Sequence, residues 1–149
     1  MIDELEQFTA IAWDFDGTLI DHPKSPLMHA FINEHPEKQH VIITFRSHGM
    51  EKTMFYEMGA KYPNAPAKDQ FDAVFNISDR AWAGFTNAQA QRSSGRLEGR
   101  LTPWEMYYVN WKGLVCSLRH LPVLVDDKSA DVMPGCEKYG IEFVHPDSL

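Results

Sequence analysis

The sequence predicts an α/β fold built on a parallel sheet, and three observations predict it. Short apolar runs alternate with helix-like segments along the whole chain. Turn residues punctuate the runs, and three of the runs end abruptly in polar or charged side chains.

The first run, "TAIAWDF" (9–15), suits a buried strand. In "KSPLMHAFINEHP", Ser25 reads as an N-cap and Pro26 as the first helical residue, with Leu27, Phe31 and Ile32 on the apolar face and Pro36 ending the helix. "HVIITF" (40–45) is the clearest β-branched strand. Met50, Met54 and Met58 then recur at helical spacing and read as core packing. "FDAVFNI" (71–77) is a third strand. The polar stretch "TNAQAQRSSGRLEGR" (86–100) reads as a mobile loop or flap. Its Arg92, Arg96 and Arg100 suit a solvated face, with a clamp on substrate phosphate as the alternative. "TPWE" (102–105) is a capping box opening a helix that runs to about Arg119, with an interruption near Gly113. "LPVLVDD" (121–127) is a strand ending in two carboxylates. "SADVMPGCEKYG" is helical up to a turn, and "IEFV" (141–144) closes the sheet. Trp82, Trp104 and Trp111 read as core or cap packing, with stacking on a base as the alternative.

At 149 residues the chain fits one domain, 1–149, with a single proper core. Fourteen basic against 21 acidic residues give a net charge of −7, which argues against a non-specific nucleic-acid binder, since that needs a broad basic surface. No apolar run approaches the ~20 residues that span a bilayer. The acidic start of the chain lacks the basic and apolar regions of a secretory signal. Cys116 and Cys136 have neither metal-site nor redox-motif spacing, and the simplest setting is reducing and cytoplasmic.

Chemistry concentrates after three strands. The first runs into Asp14 and Asp16, the second into Thr44 and Arg46, and the strand at 121–127 into Asp126 and Asp127. Parallel sheets bind ligands beyond the carboxyl ends of their strands, so these residues are expected in one crevice. Four carboxylates there call for a cation, and Mg²⁺ suits a site of a few carboxylates, waters and substrate phosphate. Gly17 lets the chain turn sharply and bring backbone N–H groups to an anion. Lys112, on the helix before the acidic strand, supplies a point charge. A metal, a lysine, a hydroxyl and backbone amides describe a phosphate site.

These residues carry a resemblance. "DFDGTLI" is similar to the first motif of the haloacid-dehalogenase (HAD) superfamily, D-x-D-G-T/V-L/V at a strand end. "VIITF" resembles its second motif, Lys112 in "NWKGL" its third, and "VLVDDKSAD" its fourth. The resemblance spans about residues 9–145. It implies a three-layer α/β/α Rossmann-like core and an Mg²⁺-dependent phosphomonoesterase. Asp14 is then the nucleophile that becomes an aspartyl-phosphate, and Asp16 the acid and base two residues on. Asp14, the Asp16 carbonyl and Asp127 hold the metal, with Asp126 a further ligand or a supporting acceptor. Thr44 and Lys112 bind the phosphoryl oxygens. Gly17 and Thr18 support the motif, and Asp131 is expected to hold Lys112 or a metal-bound water. Arg46 is read either as a substrate contact, as in the Thr/Ser-x-Arg of some phosphatases of the superfamily, or as a surface ion pair.

The acid at Asp16 favours phosphoryl transfer over carbon–halogen cleavage, because halide leaves without a proton whereas an oxygen leaving group needs one. The short segment between Asp16 and Thr44 leaves little room for an inserted cap. The resemblance is therefore to the capless type, with a small flap around 77–101. An open site of that kind admits a nucleotide, a nucleic-acid end or another sizeable phosphorylated substrate. Nucleic acid enters this reading only as substrate, and no membrane partner is expected. The alternatives are a phosphotransferase and a non-catalytic phosphate or phosphoprotein binding module on the same fold.

Overall fold

The computed structural model describes residues 2–149; Met1, included in the 1–149 domain, lies outside the described residues. Five strands, β1 (Ala10–Trp13), β2 (Gln39–Thr44), β3 (Ala73–Asn76), β4 (Val123–Val125) and β5 (Glu142–Val144), form one sheet in the order β3-β2-β1-β4-β5. Every pairing is parallel. Between them run α1 (Ser25–Glu34), α2 (Glu51–Lys61), α3 (Asp79–Ser93), α4 (Pro103–Leu118) and α5 (Ser129–Tyr139). No described helix is long and apolar enough to cross a membrane.

Strand periodicity sorts the core into two faces. Ile11, Trp13, Ile42, Val123 and Val125 point to one side, where they meet Met28, Phe31 and Ile32 of α1 and Met54 and Met58 of α2. Ala10, Ala12, Val41, Ile43 and Leu124 point to the other, against Ala81 of α3, Tyr108, Trp111 and Cys116 of α4, and Val132 and Cys136 of α5. Helices therefore cover both faces, as a parallel sheet buried on both sides demands. The chain winds outward from β1 to β3, then returns to place β4 on the other flank of β1. Right-handed crossovers in opposite directions put helices on opposite faces. The reversal leaves a switch point between β1 and β4.

Helix α4 begins as its sequence predicts. The Thr102 hydroxyl accepts from the Glu105 N–H at 3.3 Å, and the Glu105 carboxylate accepts from the Thr102 N–H at 2.9 Å. The helix runs through Gly113 without interruption, and the glycine serves the close approach of α5: a Cβ on Gly113 would lie 2.3 Å from the Gly135 carbonyl.

Several expectations are corrected. Residues 86–93 are not loop but the second half of α3, whose 15 residues start at a Ser78 cap that accepts from the Ala81 N–H. The buried stripe of α3 is only Ala81 and Ala88, so its sequence looks polar throughout. The remaining loop, 94–102, is tied down by Arg92, which donates to the carbonyls of Gly99 and Arg100 and pairs with Glu105 at 2.6 Å. Arg92 is thus a structural clip rather than part of a flap. Ser25 is the first residue of α1 instead of its cap: its hydroxyl donates to the Thr18 carbonyl and accepts from the His22 N–H. Leu27 faces outward, and His29, which bonds the Leu19 carbonyl at 2.7 Å, takes a core position. Met54 and Met58 are buried, but Met50 is exposed just before α2. Of Trp82, Trp104 and Trp111, the last is core, while Trp82 and Trp104 are 41% and 37% exposed.

Candidate functional site

The carboxyl ends of β1, β2 and β4 converge, as their adjacency in the sheet requires. Asp14 follows β1 directly, and its N–H donates to the Val125 carbonyl at 2.9 Å, so the end of β1 is locked to the end of β4. Asp126 is held in turn by its N–H on the Val144 carbonyl at 3.1 Å.

Lys112 reaches this point from α4. Its ammonium lies 2.6 Å from Asp14 Oδ1 and 2.7 Å from Asp126 Oδ2, with all three side chains buried. The Phe45 ring lies beside it, with Nζ 4.5 Å from the centroid. Burial alone would lower the lysine's pKa, but the Asp14 and Asp126 charges outweigh it and hold the ammonium above the ordinary lysine range. One lysine does not neutralise two buried acids. Burial pushes Asp14 up to about 6 despite Lys112, and Asp127 nearby adds to the rise. Burial pushes Asp126 to about 6 as well, again opposed by Lys112.

The remaining lone pairs separate the carboxylates by role. Asp14 Oδ2 accepts from the Thr18 hydroxyl at 3.1 Å. Asp126 Oδ1 accepts from the Lys128 N–H at 2.8 Å, so both its oxygens are engaged. Asp127 Oδ1, by contrast, is buried with no hydrogen-bond partner among the described residues. An orphaned carboxylate oxygen is costly unless something cationic meets it. Asp14, Asp126 and Asp127 each offer an oxygen within 4.8 Å of the others, a hard all-oxygen set that fits a divalent cation such as Mg²⁺. Gly17 makes the cradle possible: with φ at +77°, a Cβ there would lie 2.2 Å from Asp127 Oδ2.

Asp16 sits in a different environment. Arg46 grips it with a fork, Nε to Oδ2 at 2.8 Å and Nη2 to Oδ1 at 2.6 Å. The same guanidinium pairs with Glu57 of α2 at 2.9 Å and lies 5.0 Å from the Phe15 centroid. The Asp16 and Glu57 carboxylates hold Arg46 above its ordinary range, and Arg46 holds Glu57 below its own. Thr44 is buried, and its hydroxyl accepts from the Arg46 N–H at 3.1 Å.

A cavity of about 470 Å³ opens on these groups, lined by Asp14, Asp16, Thr44 and Arg46 and continuing past Phe45 to Trp82. The structure thus gathers Asp14, Asp16, Thr44, Arg46, Lys112, Asp126 and Asp127, with Gly17 and Thr18 beneath them. Asp131 is the exception: it is not a hydrogen-bonding or ion-pair partner of Lys112, which spends its contacts on Asp14 and Asp126. Asp131 acts instead on Tyr108, whose phenol is pushed up by burial first and by Asp131 next.

Sequence reasoning missed Glu57, Phe45 and Tyr108. Tyr108 stands one helical turn before Lys112, and Phe45 lies between two residues already singled out, so both had a positional signal. Glu57 had none, because only the packing of α2 brings it to Arg46. No family model, curated protein or solved structure matches the chain.

Proposed function

We propose that the protein is a divalent-metal-dependent phosphomonoesterase of the HAD type, working through an aspartyl-phosphate on Asp14. The observation that carries this reading is the unpartnered, buried Oδ1 of Asp127 beside Asp14, whose own oxygens meet Lys112 and Thr18. A metal-binding gap next to a lysine-bound carboxylate at a strand end is the arrangement that phosphoryl transfer uses.

Asp14, Asp127 and the Asp16 carbonyl would hold Mg²⁺, with Asp126 supporting, its oxygens held by Lys112 and by the Lys128 backbone N–H. When bound, the metal supplies positive charge that offsets repulsion between phosphate and the acidic site. Asp14 attacks phosphorus; the new O–P bond forms as the ester P–O bond breaks. For this step Asp16 must enter protonated, with Arg46 releasing one of its oxygens, and that oxygen gives its proton to the departing alcohol oxygen. Asp16 then takes a proton from water, which attacks the aspartyl-phosphate and returns free Asp14 and inorganic phosphate. Lys112 and Thr44 face the phosphoryl oxygens, and Arg46 sets the position of Asp16. The two buried free thiols, Cys116 and Cys136, suit a reducing, cytoplasmic setting.

The test is hydrolysis of a panel of phosphomonoesters with and without Mg²⁺, together with trapping of beryllium fluoride on Asp14. Metal-dependent phosphate release that Asp14→Asn abolishes is expected. A folded, Mg²⁺-binding protein inactive on the whole panel overturns the reading.

A further inference from the structure

Beyond the acidic groups, the cavity changes character. Phe45, Tyr108, Ile77, Met50 and Trp82 form its other wall. The rings are ordered. Phe85 stacks on Tyr108 with centroids 3.6 Å apart and planes 9° from parallel, and Tyr108 stacks on Phe45 at 4.1 Å and 19°. Trp82 continues the series, 26° from the plane of Phe45 at 6.5 Å. It remains 41% exposed, so its indole is accessible to a ligand at the outer end of the series. Phe45 joins the two halves of the cavity, because it also contacts the Lys112 ammonium.

The charges limit what this wall receives. Arg46 is already engaged by Asp16 and Glu57. Lys128 is then the cavity cation without an ion pair among the described residues, and the Asp79 carboxylate lines the same space. A second or third phosphate on the leaving group would find one exposed lysine against three carboxylates. A single phosphate at Asp14 with an uncharged ring beyond it fits both halves. The volume, about 470 Å³, is that of a small-molecule site.

Resting on the phosphomonoesterase reading, we infer that the substrate is a small monophosphate ester whose leaving group carries a planar aromatic ring, stacked on Trp82 with Met50 and Ile77 at its edge. Trp82 is a specificity residue here: it touches the leaving group and none of the reacting atoms. Stacking of a base or aryl group on an exposed aromatic side chain is favourable, and a planar ring on Trp82 adds one more member to the series.

Two measurements on the full chain with Mg²⁺ test this. The first is binding of benzylphosphonate against methylphosphonate, neither of which has an ester bond to hydrolyse. The second is kcat/KM for benzyl phosphate and a nucleoside 5′-monophosphate against glycerol 3-phosphate, in wild type and in Trp82→Ala. Benzylphosphonate is expected to bind about 10-fold tighter than methylphosphonate, the scale of one ring stack. The ring-bearing esters are expected to lead in kcat/KM, and Trp82→Ala to shrink that lead about 10-fold, mainly through KM. The relative rates of the two ring-bearing esters say whether a nucleobase or a simple aryl group is the natural occupant. Turnover with no ring preference overturns the inference and leaves the phosphatase reading standing. Ring-selective binding with no turnover of any ester does the reverse. Absence of both overturns the two together. The phosphonate comparison needs no variant, so a misfolded Trp82→Ala does not remove the test.

Discussion

Arg46 and Asp16 form a two-pronged pair, 2.8 and 2.6 Å, and Glu57 holds the third corner of the same guanidinium at 2.9 Å. A planar fork fixes the orientation of a carboxylate, which a lysine cannot do. If Asp16 moves protons, this pair sets where it stands. Arg46→Ala is expected to lower kcat about 10- to 100-fold, within the range that a positioned acid–base group contributes. Arg46→Lys should fall between, since charge without the fork recovers only part of the effect. Mg²⁺ affinity should change far less than kcat in both, because Arg46 meets Asp16 only through its carboxylate and touches neither Asp14 nor Asp127. Steady-state kinetics with parallel calorimetry separate the two quantities. A kcat within twofold of wild type would refute the positioning role.

Gly17 is expected to be intolerant of even one methyl group. Its φ of +77° costs an L-residue about 1–2 kcal/mol, and a Cβ would strike Asp127 Oδ2 at 2.2 Å. Gly17→Ala should therefore lose urea stability on that scale and displace the Asp127 carboxylate, whose buried Oδ1 has no partner among the described residues. A Mg²⁺ affinity reduced at least tenfold in calorimetry is the expected readout. Wild-type affinity in this variant would mean Asp127 is no ligand.

Metal binding and pH should be linked in a definite direction. Asp14 and Asp126 shift from an ordinary 3.8 to about 6 on folding, chiefly through burial. A raised folded pKa favours the native state below 3.8, and that advantage is lost as pH climbs through 6. Buried His29 and His40 act oppositely, because burial lowers their pKa and stability drops as pH falls below 6.5. The Tm of metal-free protein mixes both effects. The increment caused by Mg²⁺ does not, since on the proposed reading the side chains that would hold it are carboxylates and no histidine is among them. That increment should grow between pH 4.5 and 7, and a flat increment in differential scanning would contradict it.

Gly113 and Gly135 mark where α4 and α5 come closest. Alanine in a helix normally gains about 1 kcal/mol over glycine. At Gly113 the new methyl would sit 2.3 Å from the carbonyl of Gly135, which is backbone and cannot swing away. Overpacking of that kind costs about 1–3 kcal/mol, so the clash should exceed the propensity gain. Gly113→Ala should lower the urea midpoint and, by shifting the adjacent Lys112, reduce turnover as well. An increase in stability would show that the helices part easily.

What could be read from the sequence depended on how local the cause was. The Thr102–Glu105 capping box and the polar residues after "AIAW", "HVIIT" and "VLV" needed only neighbours in the chain. The parallel order of the strands then brought those ends together, as expected for this class of sheet. Helix α3 was hidden because its buried stripe is two alanines and its anchor, Arg92 on Glu105, lies across a turn. Lys112 was placed by resemblance, but its choice of Asp126 over Asp131 follows from helix rotation, which spacing alone does not fix. Glu57 reaches Arg46 only through the packing of α2, so no pattern in the chain announced it.

The hydrogen bond between Asp14 and Lys112 closes a span of 98 residues. The acid is set at the end of the first strand made, whereas its countercharge arrives on the penultimate helix. Sealing an ionised Asp14 before α4 docks would strand an uncompensated charge, so the acid is expected to stay hydrated until that helix arrives. Long-range closure of this kind is slow, so the site is expected to form late in folding. Fragments that stop before α4 will carry the complete first motif and yet lack the means to bury it.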